Sequence, residues 1–212
     1  MLAPKSGAAP KRAVVLLHGY GSDGNDLIGL APYWQPILPD ALFVSPNAPE
    51  PCDDLATGYQ WFPIDYDGDV LASRQEGVIA ARPVLVQFLE ELWSETRLRP
   101  EDTILAGFSQ GAMMALHTGL SLPQPLMGII AFSGAFLPPE GFGTAPDYPP
   151  VCLVHGDMDT VVDPSLSAEA DRILKAAGVS VRCHISRGTA HGIAPDGFAF
   201  ASDFISSIAG TQ

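Results

Sequence analysis

The sequence predicts an α/β fold with a mostly parallel central sheet and helices on both of its faces. Short apolar runs typical of buried strands alternate along the chain with longer helical patterns. The strand-like runs are continuously apolar, as in strands that are covered on both faces. One of these runs leads through residues 107–111, Gly-Phe-Ser-Gln-Gly, directly into a helical stretch. These three observations together favour a sheet whose chemistry lies at the carboxyl ends of its strands.

The first half of the chain supplies the elements that precede this motif. Residues 13–17 and 42–44 are short apolar strands, and residues 74–97 form a long helical pattern with an apolar face. Pro83 falls inside that pattern, so we expect a kink or a restart of the helix there. Residues 46–72 form a long irregular stretch.

After the motif, strands and helices continue to alternate. Asp163 and Pro164 are typical of a helix start, and Gly178 is typical of the end of that helix. Residues 134–150 form a second irregular stretch, and loops of this length often contribute to binding. The remaining elements are strands over 103–106, 127–132, 151–154 and 179–185, and helices over 112–117 and 195–208.

Composition favours one globular domain over residues 1–212. Hydrophobic residues make up 47% of the chain and charged residues 17%, which argues against a disordered protein. The formal net charge is −13, which disfavours nucleic acid and anionic lipid surfaces as partners. A homodimer is compatible with the sequence, which does not determine the oligomeric state.

Cysteine content and hydropathy favour a cytoplasmic protein. Cys52, Cys152 and Cys183 are too few, and odd in number, for a disulfide framework. No apolar run approaches the roughly 20 residues that cross a bilayer, so we expect no stable membrane insertion. The first residues also lack the apolar core of a signal peptide.

Ser109 is the candidate nucleophile. It is the serine of a G-x-S-x-G motif, a sharp strand-to-helix turn that holds the hydroxyl where it can attack a carbonyl. Gly107 and Gly111 suit this turn because side chains there would collide with the backbone. A serine hydroxyl is a poor nucleophile without a general base, usually histidine, and a carboxylate that orients it.

The chain order serine, acid, histidine selects the candidate base. Only His184 and His191 lie late enough in the chain. His184 falls within a strand in which Val181, Cys183 and Ile185 are expected to face inward, so it should face solvent or the next helix. His191 follows that strand in a loop at its carboxyl end, where the base is required.

Two aspartates are candidates for the acid. Asp157 and Asp159 both follow the strand at residues 151–154, whereas Asp163 suits a helix cap. Periodicity does not decide between them. One of the pair can orient the histidine while the other holds the turn through hydrogen bonds to backbone N–H groups.

An oxyanion hole needs two N–H donors directed at the developing charge. The expected donors are the backbone of Gln110, directly after the nucleophile, and that of Tyr20, in the glycine-rich loop after the first strand. An ordinary turn capped by Asn25 or Asp26 is the alternative for this loop. A phosphate loop is a poorer interpretation because the G-K-[ST] and G-x-G-x-x-G spacings are missing.

We expect no cofactor and no metal. His18 and His155 each precede a glycine at a strand end, but no third ligand falls at a suitable spacing, so each is expected to anchor a turn. Trp61 and Phe62, in the first irregular stretch, are candidates to line a substrate groove whose walls are the two irregular stretches. A hydrophobic cluster under the loop is the alternative for this pair.

Four blocks of the chain resemble the phospholipase/carboxylesterase family, the small α/β-hydrolases that include the acyl-protein thioesterases. The blocks are residues 17–24, 107–112, 155–162 and 190–193, and they occur in the family's order across nearly the whole chain. The resemblance implies an α/β-hydrolase fold without a large cap domain. It also implies a metal-free serine esterase that acts on carboxylic esters or thioesters.

The resemblance also implies roles for individual residues. The family's nucleophile, acid, base and two oxyanion donors fall on Ser109, Asp159, His191, Tyr20 and Gln110. The choice of Asp159 over Asp157 therefore comes from the resemblance and not from spacing. The family commonly has leucine at the position of Tyr20 and glycine at that of Ala190, so the identity of the substrate does not follow from the match.

The leading interpretation is a serine carboxylesterase for small to medium acyl esters, with thioesters as further candidates. His191 takes the proton of Ser109 during the attack, an acyl-enzyme forms, and water then hydrolyses it. A dienelactone-hydrolase-like enzyme is one alternative, although that group carries cysteine at the elbow. A non-catalytic binding protein on the same fold is another, and the intact set of serine, acid and histidine argues against it.

Overall fold

The computed structural model describes residues 1–52, 57–65, 69–145 and 147–210. Within them, six strands form the main sheet and two short ones form a separate hairpin. The strands are β1 (Arg12–Leu17), β2 (Ala41–Val44), β3 (Glu50–Pro51), β4 (Tyr59–Gln60), β5 (Thr103–Phe108), β6 (Gly128–Phe132), β7 (Val151–Gly156) and β8 (Val181–Ser186).

The helices lie between these strands in the alternation that the sequence predicts. They are α1 (Gly24–Leu27), α2 (Ala31–Trp34), α3 (Val70–Thr96), α4 (Gln110–Gly119), α5 (Ser165–Ala176) and α6 (Pro195–Ala209), with short 3-10 helices at Ile28–Leu30 and Pro100–Asp102. No helix of the described residues is long and apolar enough to span a lipid bilayer.

The main sheet is parallel throughout, with the strand order β2-β1-β5-β6-β7-β8, which confirms the predicted parallel sheet. The chain passes from β1 to β2 on one side and later returns to place β5 on the other side of β1. The strand order therefore changes direction at β1. In an open parallel sheet, a crevice for ligands forms at such a point, beyond the carboxyl ends of the strands.

Helices cover both faces of the sheet, which explains why its strands are continuously apolar. In β1, Val15 and Leu17 belong to one buried cluster with residues of α3, α4 and α5, while Val14 and Leu16 belong to a second cluster with residues of α1, α2 and α6. All four side chains are fully buried. An alternating pattern would have placed polar groups against one of the two helical layers.

Helix α3 is one continuous helix across Pro83. The restart that was one of the two expectations for this residue therefore does not occur. Val78, Leu85 and Leu89 lie on both sides of the proline and are buried against the core. Tertiary packing of this apolar face compensates for the hydrogen bond that proline removes. Ile79, the neighbour of Val78 in this helix, is exposed.

The last strand, β8, is at the edge of the sheet and is less covered than the sequence predicts. Ile185 was expected to face inward, but 39% of it is exposed. An edge strand has a neighbour on one side only, so the helices cover it less completely. The prediction for His184 is confirmed, because it faces α6, where its Nε2 lies 2.8 Å from Asp196 Oδ2 and its ring stacks on Phe200.

The two irregular stretches differ from each other. The described part of residues 46–72 contains the β3–β4 hairpin and the first turn of α3. In residues 134–150, Phe136, Phe142 and Tyr148 pack on one another as an aromatic group. The described parts of both stretches are thus held by specific contacts.

Candidate active site

Ser109 lies on a strained turn between β5 and α4. Its backbone has φ 53° and ψ −117°, a combination that residues other than glycine rarely adopt. The turn is held by the Ser109 N–H, which donates to Phe132 O at 2.9 Å. A side chain on Gly107 would collide with the backbone of Gly111, and one on Gly111 would collide with that of Leu17. The two glycines of the motif thus permit the close approach of β1, β5 and α4.

His191 connects Ser109 to a carboxylate. Its Nε2 lies 2.9 Å from Ser109 Oγ, and its Nδ1 lies 2.6 Å from Asp159 Oδ2. With the proton on Nδ1 directed at the carboxylate, Nε2 is the nitrogen that can accept the serine proton. The Phe108 ring packs against the imidazole, with 4.8 Å between centroids. These contacts bring together the ends of β5, β7 and β8.

The environment of Asp159 favours its ionised form. Its side chain is fully buried, and Oδ1 accepts hydrogen bonds from the N–H groups of Val161 and Val162 at 2.8 and 2.9 Å. Burial alone would raise the pKa of Asp159. The hydrogen bonds from Val162, His191 and Val161 outweigh it and hold the pKa below the ordinary value. A buried anion is therefore available to orient His191.

Asp157 has a different position. Its Oδ1 accepts the N–H of Gly188 at 2.6 Å, and the neighbouring Met158 N–H donates to Thr189 O. These bonds join the loop after β7 to the loop after β8, which carries His191. Asp157 braces the two loops, whereas Asp159 contacts the base directly.

Tyr20 and Gln110 both line the cleft that contains Ser109. The loop of Tyr20 approaches the nucleophile closely, since a Cβ built on Gly19 would lie 3.4 Å from Ser109 Cβ. Gln110 is the first residue of α4, so its N–H has no acceptor within the helix. Both residues thus lie at the cleft beside Ser109, and their role as oxyanion donors stays a prediction.

The side chain of Gln110 has a role that the sequence did not indicate. It is buried, its Oε1 accepts the Trp61 N–H at 2.8 Å, and its Nε2 donates to Phe62 O at 2.6 Å. The side chain of Gln110 therefore holds the backbone of Trp61 and Phe62 in place beside the cleft. No local signal predicts this contact, because 49 positions separate Gln110 from Trp61.

Trp61 does not line the cleft, in contrast to the expectation for it. Its indole is only 4% exposed, and Nε1 donates to His18 O at 3.0 Å. Trp61 thus belongs to the hydrophobic cluster under the loop that was the alternative. Phe62 does line the cleft, although little of its surface is exposed.

His18 is a buried structural residue. Its Nδ1 lies 2.8 Å from Gly19 O, and its Nε2 accepts the Ala48 N–H at 2.9 Å. Burial is the main reason that the pKa of His18 lies below the ordinary value for histidine. The neutral ring ties the glycine-rich loop to the segment after β2, so His18 anchors a turn as the sequence predicts.

The cleft has a volume of about 650 Å³ and a largely apolar wall. This wall is formed by Phe62, Ile64, Val70, Met113, Val161 and Val162. Among the described residues, none of 134–150 lines it, so the prediction that this stretch shapes the groove is wrong. Residues of 46–72, Met113 of α4 and the loop after β7 form the wall, whereas the aromatic side chains of 134–150 pack on one another.

The described residues contain no group of three His, Cys, Asp or Glu side chains arranged to hold a metal ion. Metal-free catalysis remains a prediction that requires a biochemical test.

The family model for phospholipases and carboxylesterases matches residues 4–209. Esterase YpfH of Escherichia coli is 31% identical over 92% of this chain and 82% of its own length. Acyl-protein thioesterase 1 of Saccharomyces cerevisiae is 29% identical over 92% of each chain. The crystal structure of esterase PE8 superposes with a TM-score of 0.92, at 51% identity over 98% of this chain and 96% of that one. The predicted α/β-hydrolase fold is confirmed by this match.

Proposed function

The chain belongs to the phospholipase/carboxylesterase family of serine hydrolases, and we propose that it is a carboxylesterase that uses Ser109, His191 and Asp159 as a catalytic triad. Its substrates are small to medium acyl esters, or the corresponding thioesters. The observation that carries the proposal is the continuous hydrogen-bonded path from Ser109 Oγ through both nitrogens of His191 to Asp159 Oδ2. The alternative of a dienelactone-hydrolase-like enzyme has less support, because the elbow carries serine.

The first half of the reaction forms an acyl-enzyme. Ser109 Oγ attacks the ester carbonyl carbon while His191 Nε2 takes the hydroxyl proton, and Asp159 stabilises the resulting imidazolium. The oxyanion of the tetrahedral intermediate accepts hydrogen bonds from the backbone N–H groups of Tyr20 and Gln110. As the intermediate collapses, His191 returns the proton to the departing alcohol or thiol.

The second half regenerates the enzyme. His191 removes a proton from a water molecule, and the hydroxide attacks the acyl carbon on Ser109. Collapse of the second tetrahedral intermediate releases the carboxylic acid, and the proton on His191 returns to Ser109 Oγ. The same base and the same oxyanion donors therefore serve both halves of the reaction.

A serine-reactive probe tests this proposal. Wild-type protein should be labelled by a fluorophosphonate, and Ser109→Ala should lose both the label and ester hydrolysis, with a fall in rate on the order of 10⁶-fold. Ser206→Ala is a matched control, because Ser206 is exposed on α6 away from the cleft. Labelling of folded Ser109→Ala would contradict the proposal. Wild-type protein that neither reacts nor hydrolyses esters would favour a binding protein.

Catalysis should also be independent of metal ions. The proposed reaction draws its nucleophile, its base and its oxyanion stabilisation from protein groups alone. Activity should therefore survive an excess of chelator without change. An enzyme that is inactivated by chelator and restored by zinc would contradict the triad mechanism.

We further propose that the enzyme is cytoplasmic and binds no nucleic acid. Its three cysteines are free, and its net charge of −13 opposes contact with phosphate backbones. Cell fractionation and an electrophoretic mobility-shift assay test these two statements, and light scattering tests for the homodimer.

A further inference from the structure

We propose that His155 is a positioning residue that holds the Asp159 carboxylate for catalysis and shares its negative charge with His191. The inference rests on the proposed triad and adds a fourth residue that acts through Asp159. His155 is the last residue but one of β7, and its fully buried side chain contacts the acid without lining the substrate cleft.

Three contacts fix the His155 ring. Its Nε2 lies 3.1 Å from Asp159 Oδ2 and 2.9 Å from Val162 O, and its Nδ1 lies 2.6 Å from Ser167 Oγ. Ser167 is a buried residue of α5. An unbroken path of hydrogen bonds therefore runs from α5 through His155 to the carboxylate and on to His191.

The partners of His155 determine where its proton lies. Both partners of Nε2, an ionised carboxylate oxygen and a backbone carbonyl, can only accept hydrogen bonds, so Nε2 carries the proton. In the neutral ring Nδ1 is then an acceptor, and the Ser167 hydroxyl donates to it. His191 has the opposite tautomer, with its proton on Nδ1 and a lone pair on Nε2 for the serine. The two histidines thus direct one N–H each at the same oxygen, Oδ2.

The carboxylate of Asp159 therefore receives four N–H groups. Oδ1 is held by the backbone of Val161 and Val162, and Oδ2 is held by His191 and His155. This set matches the four lone-pair positions of a carboxylate, so the group has little freedom to rotate about its bonds. Val162 is bound twice, since its N–H donates to Oδ1 and its carbonyl accepts from His155.

Sharing Oδ2 between two imidazoles has a predictable effect on the base. The N–H of His155 draws electron density from Oδ2 and weakens its attraction for the proton of His191. Without His155, the full charge on Oδ2 would stabilise the imidazolium of His191 more strongly, so His191 would keep its proton to higher pH. The carboxylate would also be less well oriented, so the reaction itself would be slower. Loss of this donor should therefore lower kcat and move the acidic limb of the activity profile to higher pH.

Two amide substitutions separate the contacts of His155. In His155→Gln the amide nitrogen can take the place of Nε2 and donate to Asp159, whereas in His155→Asn the shorter amide reaches only the region of Nδ1. We expect His155→Asn to lose about tenfold in kcat with little change in KM, and its kcat/KM midpoint to lie at higher pH. His155→Gln should remain within about threefold of the wild type, with an unshifted midpoint. Three further charged groups, Asp157 and Asp163 in the segment after β7 and Arg74 in the cleft, are the same in both variants.

A double-mutant cycle tests whether His155 acts through the acid. Once Asp159→Asn has removed the carboxylate, His155→Asn should cost less than about twofold more, because the group that it orients is gone. Additive losses would show that His155 acts by another route and would overturn the inference. The inference also fails if folded His155→Asn matches the wild type in kcat and pH profile, or if His155→Gln is as impaired as His155→Asn.

A measurement on the unmodified enzyme keeps the test independent of whether the variants fold. Nitrogen NMR of histidine-labelled wild-type protein should find His155 in the Nε2–H tautomer, with a slowly exchanging imidazole proton coupled to that nitrogen. The Nδ1–H tautomer would overturn the inference. Any of these negative results leaves wild-type esterase activity and probe labelling of Ser109 intact, so they are distinct from failure of the proposed function.

Discussion

The two sides of the active-site cleft are held by different kinds of contact. On the catalytic side, three of the four N–H groups that hold Asp159 come from residues two to four positions away, and Asp157 joins two loops at adjacent strand ends. On the substrate side, Trp61 and Phe62 are held by the Gln110 side chain, 49 and 48 positions further along the chain. The orientation of the acid thus depends mainly on its own turn, whereas the shape of the cleft depends on contacts between distant parts of the chain.

This difference predicts which substitutions remove activity and which change it gradually. On the catalytic side, a single atom such as Asp159 Oδ2 holds the base in the one geometry that the reaction needs. Its loss should therefore act almost entirely on kcat. On the substrate side, many apolar contacts each contribute a small part of the binding of the acyl group. Single substitutions there should therefore act on KM and on substrate preference. The predictions below test that division.

The largest effect should come from the two aspartates after β7. Asp159→Asn should lower kcat by about 10⁴-fold, because the amide can favour the wrong tautomer of His191. Asp157→Asn should keep most of the activity, because Asp157 only braces the neighbouring loop through Gly188. Steady-state kinetics on both folded variants with one soluble ester measures the contrast. If Asp157→Asn proves the more damaging of the two, the acid of the triad has been wrongly identified.

The same division explains how far the sequence predicts the molecule. The strands, the turn at Ser109 and the loop of His191 follow from local patterns, because a buried parallel strand and a strand-to-helix turn each have a characteristic composition. Spacing could not choose between Asp157 and Asp159, since both can hold a turn. That choice came from the family resemblance, and its geometry depends on contacts with the distant loop after β8.

The cleft wall was predicted less well for a physical reason. Trp61 and Phe62 are adjacent, yet the Trp61 indole turns under the loop to His18 while Phe62 lines the cleft. Composition alone does not tell an aromatic that lines a groove from one that packs beneath it. Val161 and Val162 were not expected in the wall, because they lie in a turn after β7 whose neighbours are known only after folding.

An intermediate effect should come from the Gln110 side chain. Gln110→Ala leaves the Trp61 N–H and the Phe62 carbonyl without partners, which should destabilise the fold by about 2–4 kcal/mol. Because the backbone N–H of residue 110 remains, we expect KM to rise more than kcat falls. Denaturant unfolding and steady-state kinetics measure the two effects.

Gln87→Ala is the matched control for this change, because Gln87 lies exposed on α3, where its amide donates to Glu91 Oε1 at 2.8 Å. It should leave both stability and kinetics nearly unchanged. A Gln110→Ala enzyme with normal KM and a greatly reduced kcat would contradict the proposed role of the side chain in holding the wall. Its main effect would then lie in the oxyanion hole.

The smallest effect should come from individual wall contacts. Each methylene of the acyl chain that the wall buries is worth about 0.8 kcal/mol, or about fourfold in kcat/KM, and the gain should stop where the wall ends. Ile64 is half-buried in that wall, so Ile64→Ala should weaken the preference for medium over acetyl esters a few-fold. Val84→Ala, on the exposed face of α3, should leave this preference unchanged. The measurement is kcat/KM for soluble monomeric esters from acetyl to palmitoyl. A steady rise through palmitoyl would contradict a wall that ends after a few methylenes and would point to a longer acyl channel.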